Sequence, residues 1–248
     1  MRNREARTFA AILALVALSA GPATALDGEV LISQGAALAG GITPNDDPGF
    51  PVTISRSGKY KLRGNLNVPA GTHGIRVTAN NVTIDLNGFR IFGGNQAIRG
   101  INGINRDGLT VMNGTISNFT SHGIETRAYA IIQDMQITSN GGMGVKLDNN
   151  GRVLRSTLSE NVSANIFCNS KCLIAQNVVA RSVTESGIVL LTNAGGHLVL
   201  GNVISANQLY GIYSEGFTGF GNNTLTGNNL GVTGVIPVHP NVCQPACP

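Results

Sequence analysis

The sequence has no marked excess of charge of either sign. It contains 17 Lys and Arg against 13 Asp and Glu, a formal net charge of +4. Residues 1–25, which we predict to be removed, hold three Arg and one Glu, so 14 basic and 12 acidic residues, or +2, remain in the mature chain. A charge this close to zero gives no basis for a nucleic-acid partner or for binding to an acidic membrane surface.

Long apolar runs are absent after the N-terminus. There, Arg2, Arg4 and Arg7 precede the run FAAILALVALSA, and Ala23-Thr24-Ala25 supplies the small residues of a cleavage site. The run is too short to span a bilayer comfortably, and no Cys follows the cleavage region to carry a lipid. We therefore predict a signal peptide over residues 1–25, no membrane span, and a secreted or periplasmic protein.

Long stretches of strong helix formers are also missing, and a repeat takes their place. Apolar residues recur between residues 107 and 232 with a period of about 21, in successive intervals of 21, 21, 21, 25 and 21. The Gly, Asn, Ser and Thr residues between them would break the helices of helical or leucine-rich repeats. Three columns keep this spacing: Ile116, Ile137, Leu158, Val179, Ile204 and Leu225; Ile84, Val111, Ile132, Val153, Ile174, Val199 and Phe220; and Ile104, Ile124, Val145, Ile166, Ile188, Ile212 and Val232.

Three apolar columns per period predict three short strands separated by polar corners. Successive coils would stack as parallel strands, with equivalent residues about 4.8 Å apart. The sequence therefore predicts an all-β parallel β-helix solenoid with a 21-residue period. We assign residues 57–235 to the solenoid, residues 26–56 to an N-terminal cap segment and residues 236–248 to a C-terminal tail.

Three segments carry a resemblance to a known family: SGKYKLRGNLNV, NNVTIDLNGFRI and GLTVMNGTISNF. They resemble exported bacterial proteins of the right-handed parallel β-helix, pectin-lyase-like superfamily, over roughly residues 52–232. The resemblance implies a right-handed solenoid. The superfamily includes polysaccharide lyases, epimerases and glycoside hydrolases, but the acidic Ca²⁺ cluster with Arg or Lys of the lyases and the clustered Asp of the hydrolases are not found in this sequence.

Asn residues recur at two predicted corners. One corner holds Phe119, Asn140, Asn161, Ser182, Asn207 and Asn228, and another holds Asn177, Asn202 and Asn223. Buried amides in register can hydrogen-bond to the coils above and below, where strand pairing does not reach. The alternative is that these are ordinary loop residues on the surface.

Opposite charges also recur one period apart. The pairs are Glu125 with Lys146, Asp134 with Arg155, Glu160 with Arg181, and Arg127 with Asp148. Pairs between adjacent coils would mark the register rather than a catalytic site. If the protein is a uronate lyase or epimerase, Lys146, Glu125 and Arg76 are the weak candidates for its catalytic groups.

The four Cys form two closely spaced pairs, Cys168 with Cys172 and Cys243 with Cys247. An exported chain favours disulfides over a zinc site, and three connectivities are possible. We favour the two local pairs, with a bridge from Cys168 to Cys243 as the alternative. The four His are scattered without an aligned acid or Cys partner, so the sequence predicts no metal site and no cofactor.

One predicted outward row is partly apolar. It contains Arg76, Asn105, Glu125, Lys146, Phe167, Val189, Tyr213 and Thr233. Aromatic side chains in a flat row suit stacking on sugar rings or burial against a partner, so Phe167, Val189 and Tyr213 are the predicted binding residues. The alternative is an ordinary sheet face with single exposed apolar residues.

Extra residues relative to the period fall within FGGNQAIRGINGIN and LLTNAGGH, at different corners, so no deep pocket is predicted. Taken together, the sequence favours a surface or polysaccharide-associated binding or structural protein, with a polysaccharide or cell-surface partner. A uronate lyase or epimerase and a self-associating, adhesin-like protein are the alternatives.

Overall fold

A computed structural model describes residues 28–191 and 196–244, so the predicted signal peptide and Cys247 lie outside the described residues. The described chain is a parallel solenoid of about nine turns with almost no helix, as the repeat predicts. The single helix in these ranges, α1 (Gln34–Ala39), is capped by the Ser33 hydroxyl, which accepts from Ala36 N at 3.1 Å. None of the described helical structure is long and apolar enough to cross a membrane.

The strands follow one another in chain order with short connections. They are β1 (Glu29–Ile32), β2 (Val52–Ile54), β3 (Gly58–Leu62), β4 (Leu66–Asn67), β5 (Ile75–Val77), β6 (Val82–Asp85), β7 (Arg90–Phe92), β8 (Ile101–Gly103), β9 (Thr110–Ser117), β10 (Ile124–Thr126), β11 (Ile131–Thr138), β12 (Val145–Asn149), β13 (Arg152–Leu154), β14 (Thr157–Ser159), β15 (Ile166–Ser170), β16 (Leu173–Ala175), β17 (Val178–Ala180), β18 (Ile188–Leu190), β19 (His197–Leu200), β20 (Val203–Ser205), β21 (Tyr210–Gly221), β22 (Thr224–Thr226), β23 (Leu230–Pro237) and β24 (Val242–Gln244).

Parallel pairing arranges these strands in three sheets. The first sheet stacks β1, β3, β6, β9, β11, β13, β16, β19 and the ends of β21 and β23. The second stacks β4, β7, the ends of β9 and β11, then β14, β17, β20, β22 and β24. The third stacks β2, β5, β8, β10, β12, β15, β18 and the starts of β21 and β23.

The inward side chains of the three sheets form one continuous apolar core. The predicted columns through Ile84 and Ile116 are paired in the predicted register, and their members are almost completely buried. Within a column, each apolar side chain packs between its equivalents in the coils above and below. One period of the sequence therefore corresponds to one coil of the solenoid.

The third column differs from the prediction at one position. Ile101, not Ile104, pairs with Ile124 and is fully buried, whereas Ile104 is 46% exposed. The segment RGINGIN contains two copies of Gly-Ile-Asn, and the first copy enters the sheet. Consequently Asn102, not Asn105, occupies the outward row.

A column of glycines marks the entry into most strands of the third sheet. Gly100 precedes Ile101, and a Cβ on Gly100 would lie 2.6 Å from the carbonyl oxygen of Gly123 in the next coil. The same close approach recurs between Gly123 and Gly144, where a Cβ would lie 2.7 Å from the oxygen. At the entry into the third sheet, the backbones of successive coils therefore lie so close together that an ordinary Cβ would collide with the carbonyl oxygen of the next coil.

Amide side chains connect the coils at the two predicted Asn corners. Between the first and second sheets, Asn177 N and Nδ2 donate to Asn202 Oδ1 at 2.9 and 3.0 Å, and Asn202 donates to Asn223 in the same way. The series continues beyond the predicted members, because Asn223 donates to Asn241 Oδ1. Asn177, Asn202 and Asn223 are almost completely buried, which fits a structural role rather than that of a surface loop.

The corner between the second and third sheets carries the other series. Asn140 donates to Asn161 Oδ1, and Asn207 donates to Asn228 Oδ1, both at 2.8 Å from Nδ2. The backbone N–H of each donor residue reaches the same oxygen, at 3.1 Å. One amide therefore satisfies two donors of the neighbouring coil.

This second series is interrupted at Ser182, and Asn165 closes the interruption. Asn165 stands in the glycine column, is fully buried, accepts from Asn161 Nδ2 at 2.7 Å and donates to Asn207 Oδ1 at 3.3 Å. In the neighbouring coils, a Cβ on Gly144 would lie 2.7 Å from Asn161 Nδ2, and a Cβ on Gly187 would lie 2.6 Å from Asn207 Nδ2. Ser182 occupies the position equivalent to these two Asn residues in the coil of Asn165. The short Ser182 side chain thus leaves room for the Asn165 side chain.

Opposite charges at the corners lie on the outside, next to these amides. Asp134 and Glu160 each have positive φ, as do Arg155 and Arg181 one coil later. The predicted ion pairs Asp134 with Arg155 and Glu160 with Arg181 form, with N···O distances of 2.8 and 2.9 Å. The left-handed backbone directs both partners outward in register, where their contact is exposed to solvent.

The local disulfide between Cys168 and Cys172 is confirmed, and it links the end of the third sheet to the start of the first. Cys168 pairs with Leu147 and Leu190, as its predicted inward position requires. Cys243 lies in β24 opposite Leu225, and its pairing with Cys247 stays a prediction.

We predict that Asn165 and Ser182 are energetically coupled. Ser182→Asn should crowd the Asn165 side chain, and Asn165→Gly should leave buried amides without partners, so each should lower stability by about 1–3 kcal/mol. The double variant restores the glycine and amide pattern of the other coils and should recover much of that loss. Urea unfolding of the four proteins measures the coupling, with Asn229→Ala, an exposed amide, as control. Strictly additive effects would contradict the assignment.

Candidate functional site

The outer face of the third sheet carries two parallel columns of side chains. The outer row, defined by strand pairing, consists of Arg76, Asn102, Glu125, Lys146, Phe167, Val189, Tyr213 and Thr233. The edge column lies two residues before the buried Ile or Val of each strand, just before the glycine column. It consists of His73, Arg99, His122, Met143, Ala164, Ser186 and Tyr210. The backbone N–H of the glycine after a member donates to the carbonyl oxygen of the next member, as from Gly74 to Arg99 and from Gly100 to His122, so the column follows the register of the outer row.

The two columns change character within one coil of each other: the edge column after His122 and the outer row after Lys146. In the first coils they present Arg76, His73, Arg99 and His122, together with the carboxylate of Glu125. Lys146 ends the charged half. The partly exposed members after it are Phe167, Val189, Tyr210, Tyr213 and Thr233, since Ala164 and Ser186 are buried. The face therefore has a charged half and an aromatic half in direct succession.

Glu125 is the centre of the charged half. Its side chain is only 3% exposed, and Lys146 Nζ lies 2.9 Å from Oε1 while Arg99 Nε lies 2.8 Å from Oε2. Both carboxylate oxygens are thus neutralised by cations from the neighbouring coils. Because Lys146 and Arg99 remain 37% and 26% exposed, the pairs keep contact with solvent.

These contacts shift the pKa of Glu125. Burial by itself raises this pKa, but the hydrogen bond from Lys146 and the positive charges of Arg99 and Lys146 outweigh it and lower the pKa below its usual value. Glu125 is therefore a carboxylate that holds two cations in place, and it is poorly suited to take up a proton at neutral pH.

The pKa values of the two histidines of the edge column are lowered as well, which for an imidazole favours the neutral form. Burial lowers the pKa of His122, and nearby Lys146 and Arg99 lower it further against the attraction of Glu125. Burial likewise lowers the pKa of His73, with contributions from Arg99 and Arg76. Both imidazoles are consequently held in the neutral form at neutral pH.

The hydrogen bond at His122 identifies its neutral tautomer. The backbone N–H of Met143 donates to Nδ1 at 2.9 Å, so Nδ1 carries the lone pair and the ring proton is on Nε2. In this form His122 can donate a hydrogen bond but has no free lone pair with which to abstract a proton. Nδ1 of His73 is shielded from solvent and has no hydrogen-bond partner among the described residues.

The aromatic half is formed by side chains that are only partly covered. Phe167, Val189 and Tyr213 follow one another in the paired register and are all half-buried. Tyr210 of the edge column lies beside Tyr213, with ring centroids 5.7 Å apart and a tilt of 47°. The two phenol rings form a small aromatic surface two strands away from Phe167, with Val189 between them.

Two shallow cavities border the charged half. One, of about 210 Å³, is lined by Glu125 and Lys146, and the other, of about 240 Å³, by Arg76 and Asn102. Ile104 lines both cavities and stands between them. The first insertion therefore supplies Arg99 to one edge of this face and Ile104 to the other, whereas residues 192–195 of the second insertion lie outside the described ranges.

The structure brings together Lys146 and Glu125 and places Arg76 two strands away from Glu125, or about 10 Å at the usual strand spacing. The predicted pair Arg127 with Asp148 is wrong. Arg127 Nε instead lies 3.7 Å from Asp107 Oδ1, one coil in the other direction, and Asp148 accepts from Asn169 Nδ2 at 2.6 Å.

The expectation that the histidines lack acidic or Cys neighbours is also wrong. His122 lies close enough to Glu125 to be electrostatically coupled to it, and His197 contacts Cys172. Arg99 is the member of the site that the sequence prediction missed. The available signal was its position directly before a glycine, which it shares with His73 and His122.

The chain matches no protein family model, and no curated protein or solved structure is significantly similar to it. The resemblance to the pectin-lyase-like superfamily therefore depends on the sequence motifs, while the parallel solenoid is shown by the strand pairing.

We predict that Glu125→Gln destabilises the protein in a pH-dependent way. The pKa of Glu125 is lower in the folded chain than its reference value of 4.5, so its ionised form stabilises the fold above that pH, and this stabilisation is lost as the pH falls through the folded-state pKa. At pH 7 the variant should lose about 1–3 kcal/mol, because Lys146 loses a charged hydrogen-bond acceptor and Arg99 loses its ion-pair partner.

Urea unfolding of wild type and Glu125→Gln between pH 3 and pH 7 measures this effect, and the difference should shrink in the acidic range. Glu215→Gln, which alters an exposed carboxylate, is the matched control. Repeating the pair in a His122→Gln background removes the coupled imidazole. A difference that does not depend on pH would refute the assigned role of the carboxylate.

Proposed function

We propose that this is an exported right-handed β-helix protein that binds an acidic polysaccharide along the outer face of the third sheet. The observation that carries the proposal is the change of the outer row from charged side chains up to Lys146 to partly exposed Phe167, Val189 and Tyr213, with Tyr210 of the edge column beside Tyr213. A uronate-rich chain offers the two complementary features, carboxylates and the apolar faces of sugar rings.

Charge complementarity supports an anionic ligand. Arg76, Arg99 and Lys146 contribute three positive charges to the charged half and Glu125 one negative charge, so 3 − 1 leaves +2. Arginine and lysine form charge-assisted hydrogen bonds to carboxylates, and Arg76 is exposed and available for such a contact. Glu125 keeps Arg99 and Lys146 ordered on the surface instead of cancelling the charge of the whole half.

The aromatic half supports a sugar ligand in particular. Phe167, Tyr210 and Tyr213 offer partly exposed rings on a sheet face, which suit stacking against sugar rings. Successive positions are spaced by one strand, about 4.8 Å, so a linear ligand that lies along the solenoid axis meets a new side chain at each step. The phenol hydroxyl groups can add hydrogen bonds at the edge of the stack.

Catalysis by the weak candidates Lys146, Glu125 and Arg76 receives less support from the geometry. Lys146 donates to Glu125 at 2.9 Å, both oxygens of Glu125 are paired with cations, and the lone pair on His122 Nδ1 is used by Met143. A uronate lyase or epimerase needs a base with a free lone pair in a productive position. The bordering cavities are also smaller than the roughly 300–1,000 Å³ of typical ligand pockets.

Export belongs to the same proposal. The predicted signal peptide, the resemblance to exported right-handed β-helix proteins and the Cys168–Cys172 disulfide all favour an oxidising compartment outside the cytosol. A periplasmic or secreted position would also give the protein access to cell-surface or environmental polysaccharides.

We predict that the mature protein binds polygalacturonate or alginate in a salt-dependent way and binds neutral dextran much more weakly. Arg76→Gln and Tyr213→Ala should each weaken binding by about tenfold, which corresponds to about 1.4 kcal/mol. Higher salt should reduce the contribution of Arg76 and leave that of Tyr213 largely unchanged. Isothermal titration calorimetry at two salt concentrations measures both effects.

Arg152→Gln and Tyr129→Ala are the matched controls, since they alter an exposed arginine on the first sheet and an exposed tyrosine at another corner. Wild-type affinity in Arg76→Gln and Tyr213→Ala, or no polyuronate binding by the wild type, would reject the proposal. Release of an unsaturated product would favour the lyase alternative, and concentration-dependent light scattering without added glycan would favour self-association.

A further inference from the structure

The Cys168–Cys172 disulfide lies beside a buried histidine, at the corner between the third and first sheets. His197 begins β19, one coil after Cys172, and the three side chains are between 0% and 3% exposed. The two sulfur atoms and an imidazole nitrogen all lie within 4.8 Å of one another. No other group of His, Cys, Asp and Glu in residues 28–191 and 196–244 brings three ligand atoms this close.

The His197 ring is held in the orientation that a metal ligand requires. Its Nε2 lies 2.8 Å from the carbonyl oxygen of Leu191, and because a carbonyl can only accept, Nε2 carries the ring proton. Nδ1 therefore bears the lone pair and accepts from the backbone N–H of Cys172 at 3.3 Å, a long hydrogen bond that has to be given up when the lone pair binds a cation. A backbone acceptor on the distal nitrogen is the usual outer-shell support of a ligating histidine.

We propose that two-electron reduction of the disulfide converts Cys168, Cys172 and His197 into a buried site for a soft d¹⁰ cation, Cu⁺ or Zn²⁺. Thiolate ligands select such cations, and imidazole is compatible with both. Metal–ligand distances of about 2.0–2.3 Å place ligand atoms roughly 3.5–4 Å apart around one ion. This separation fits within the observed spread of the three atoms once the S–S bond is broken.

The chemistry balances with a dithiol as reductant. The dithiol supplies two electrons and two protons, the S–S bond of the protein breaks, and two protein thiols form while the dithiol becomes a disulfide. Binding of the cation then releases the two thiol protons and forms two metal–thiolate bonds and one metal–imidazole bond. The disulfide and the metal are thus alternative occupants of the same corner.

The fold should tolerate the reduced state. The disulfide closes a loop with a sequence separation of only four, so its loss removes little constraint from the unfolded chain. The strands on both sides of the corner, β15 and β16, are paired with β12, β18, β13 and β19 independently of the bridge. The ligands therefore stay in place when the bond opens.

The test uses the full chain with Cys243→Ser and Cys247→Ser as parent, so that only Cys168 and Cys172 can supply thiolates. We predict that the parent reduced by a dithiol withdraws one equivalent of Cu⁺ or Zn²⁺ from a chromophoric chelator, whereas the oxidised parent withdraws none. His197→Gln should bind at least about tenfold more weakly, since even the loss of an outer-shell partner costs that much. His239→Gln, at an exposed histidine, should bind like the parent.

X-ray absorption of the loaded parent gives a result that does not depend on any variant, and two sulfur and one nitrogen neighbours are expected. Circular dichroism of the reduced parent and of His197→Gln verifies that both are folded. Separate Cu⁺ and Zn²⁺ titrations identify which cation the site prefers. The proposal is overturned if the reduced parent unfolds or does not compete with the chelator, if His197→Gln binds as tightly as the parent, or if no nitrogen neighbour is found.

Discussion

Hydrogen bonding between successive coils at the corners is the constraint on which the structure depends. Strand pairing satisfies the backbone along the flat sheets, but at a corner the backbone N–H groups turn away from their neighbours in the ladder. An Asn side chain can accept from one coil and donate to the next, so a stack of amides such as Asn177, Asn202 and Asn223 continues the pairing where the strands end. This stacking fixes the register between successive coils, for the inward and for the outward side chains alike.

The repeat explains why much of the fold can be predicted from sequence. Apolar residues at a constant interval require a constant coil, and the same interval places the amides, the corner ion pairs and the short disulfide at definite heights. Positions within an insertion cannot be assigned in this way, because two segments such as the paired Gly-Ile-Asn copies compete for one level. Both copies carry a glycine before the Ile, so the requirement for glycine next to the backbone of Gly123 does not distinguish them.

The other wrong predictions concern side chains that have two possible partners at equivalent distances along the sequence. Arg127 has an acidic residue one coil away in both directions, and the period alone gives no preference for Asp107 over Asp148. Similarly, the significance of Asn165 depends on the shortness of Ser182, which no single column reveals. For the candidate site, the outer row could be predicted from the sequence. The edge column could not, because the position of Arg99 depends on which Gly-Ile-Asn copy enters the third sheet.

Asn165 stands where the other coils have glycine, and Ser182 stands where they have asparagine. This compensation restricts how coils could be added to or removed from the chain. Coils in a solenoid contact only their neighbours, so a 21-residue unit can in principle be duplicated or deleted without disturbing distant coils. A unit boundary placed between residues 165 and 182 would separate the large side chain from the small one that accommodates it. A duplication or deletion with its boundary there would leave a buried amide crowded or without a partner, whereas a boundary at other coils would not disturb this pair.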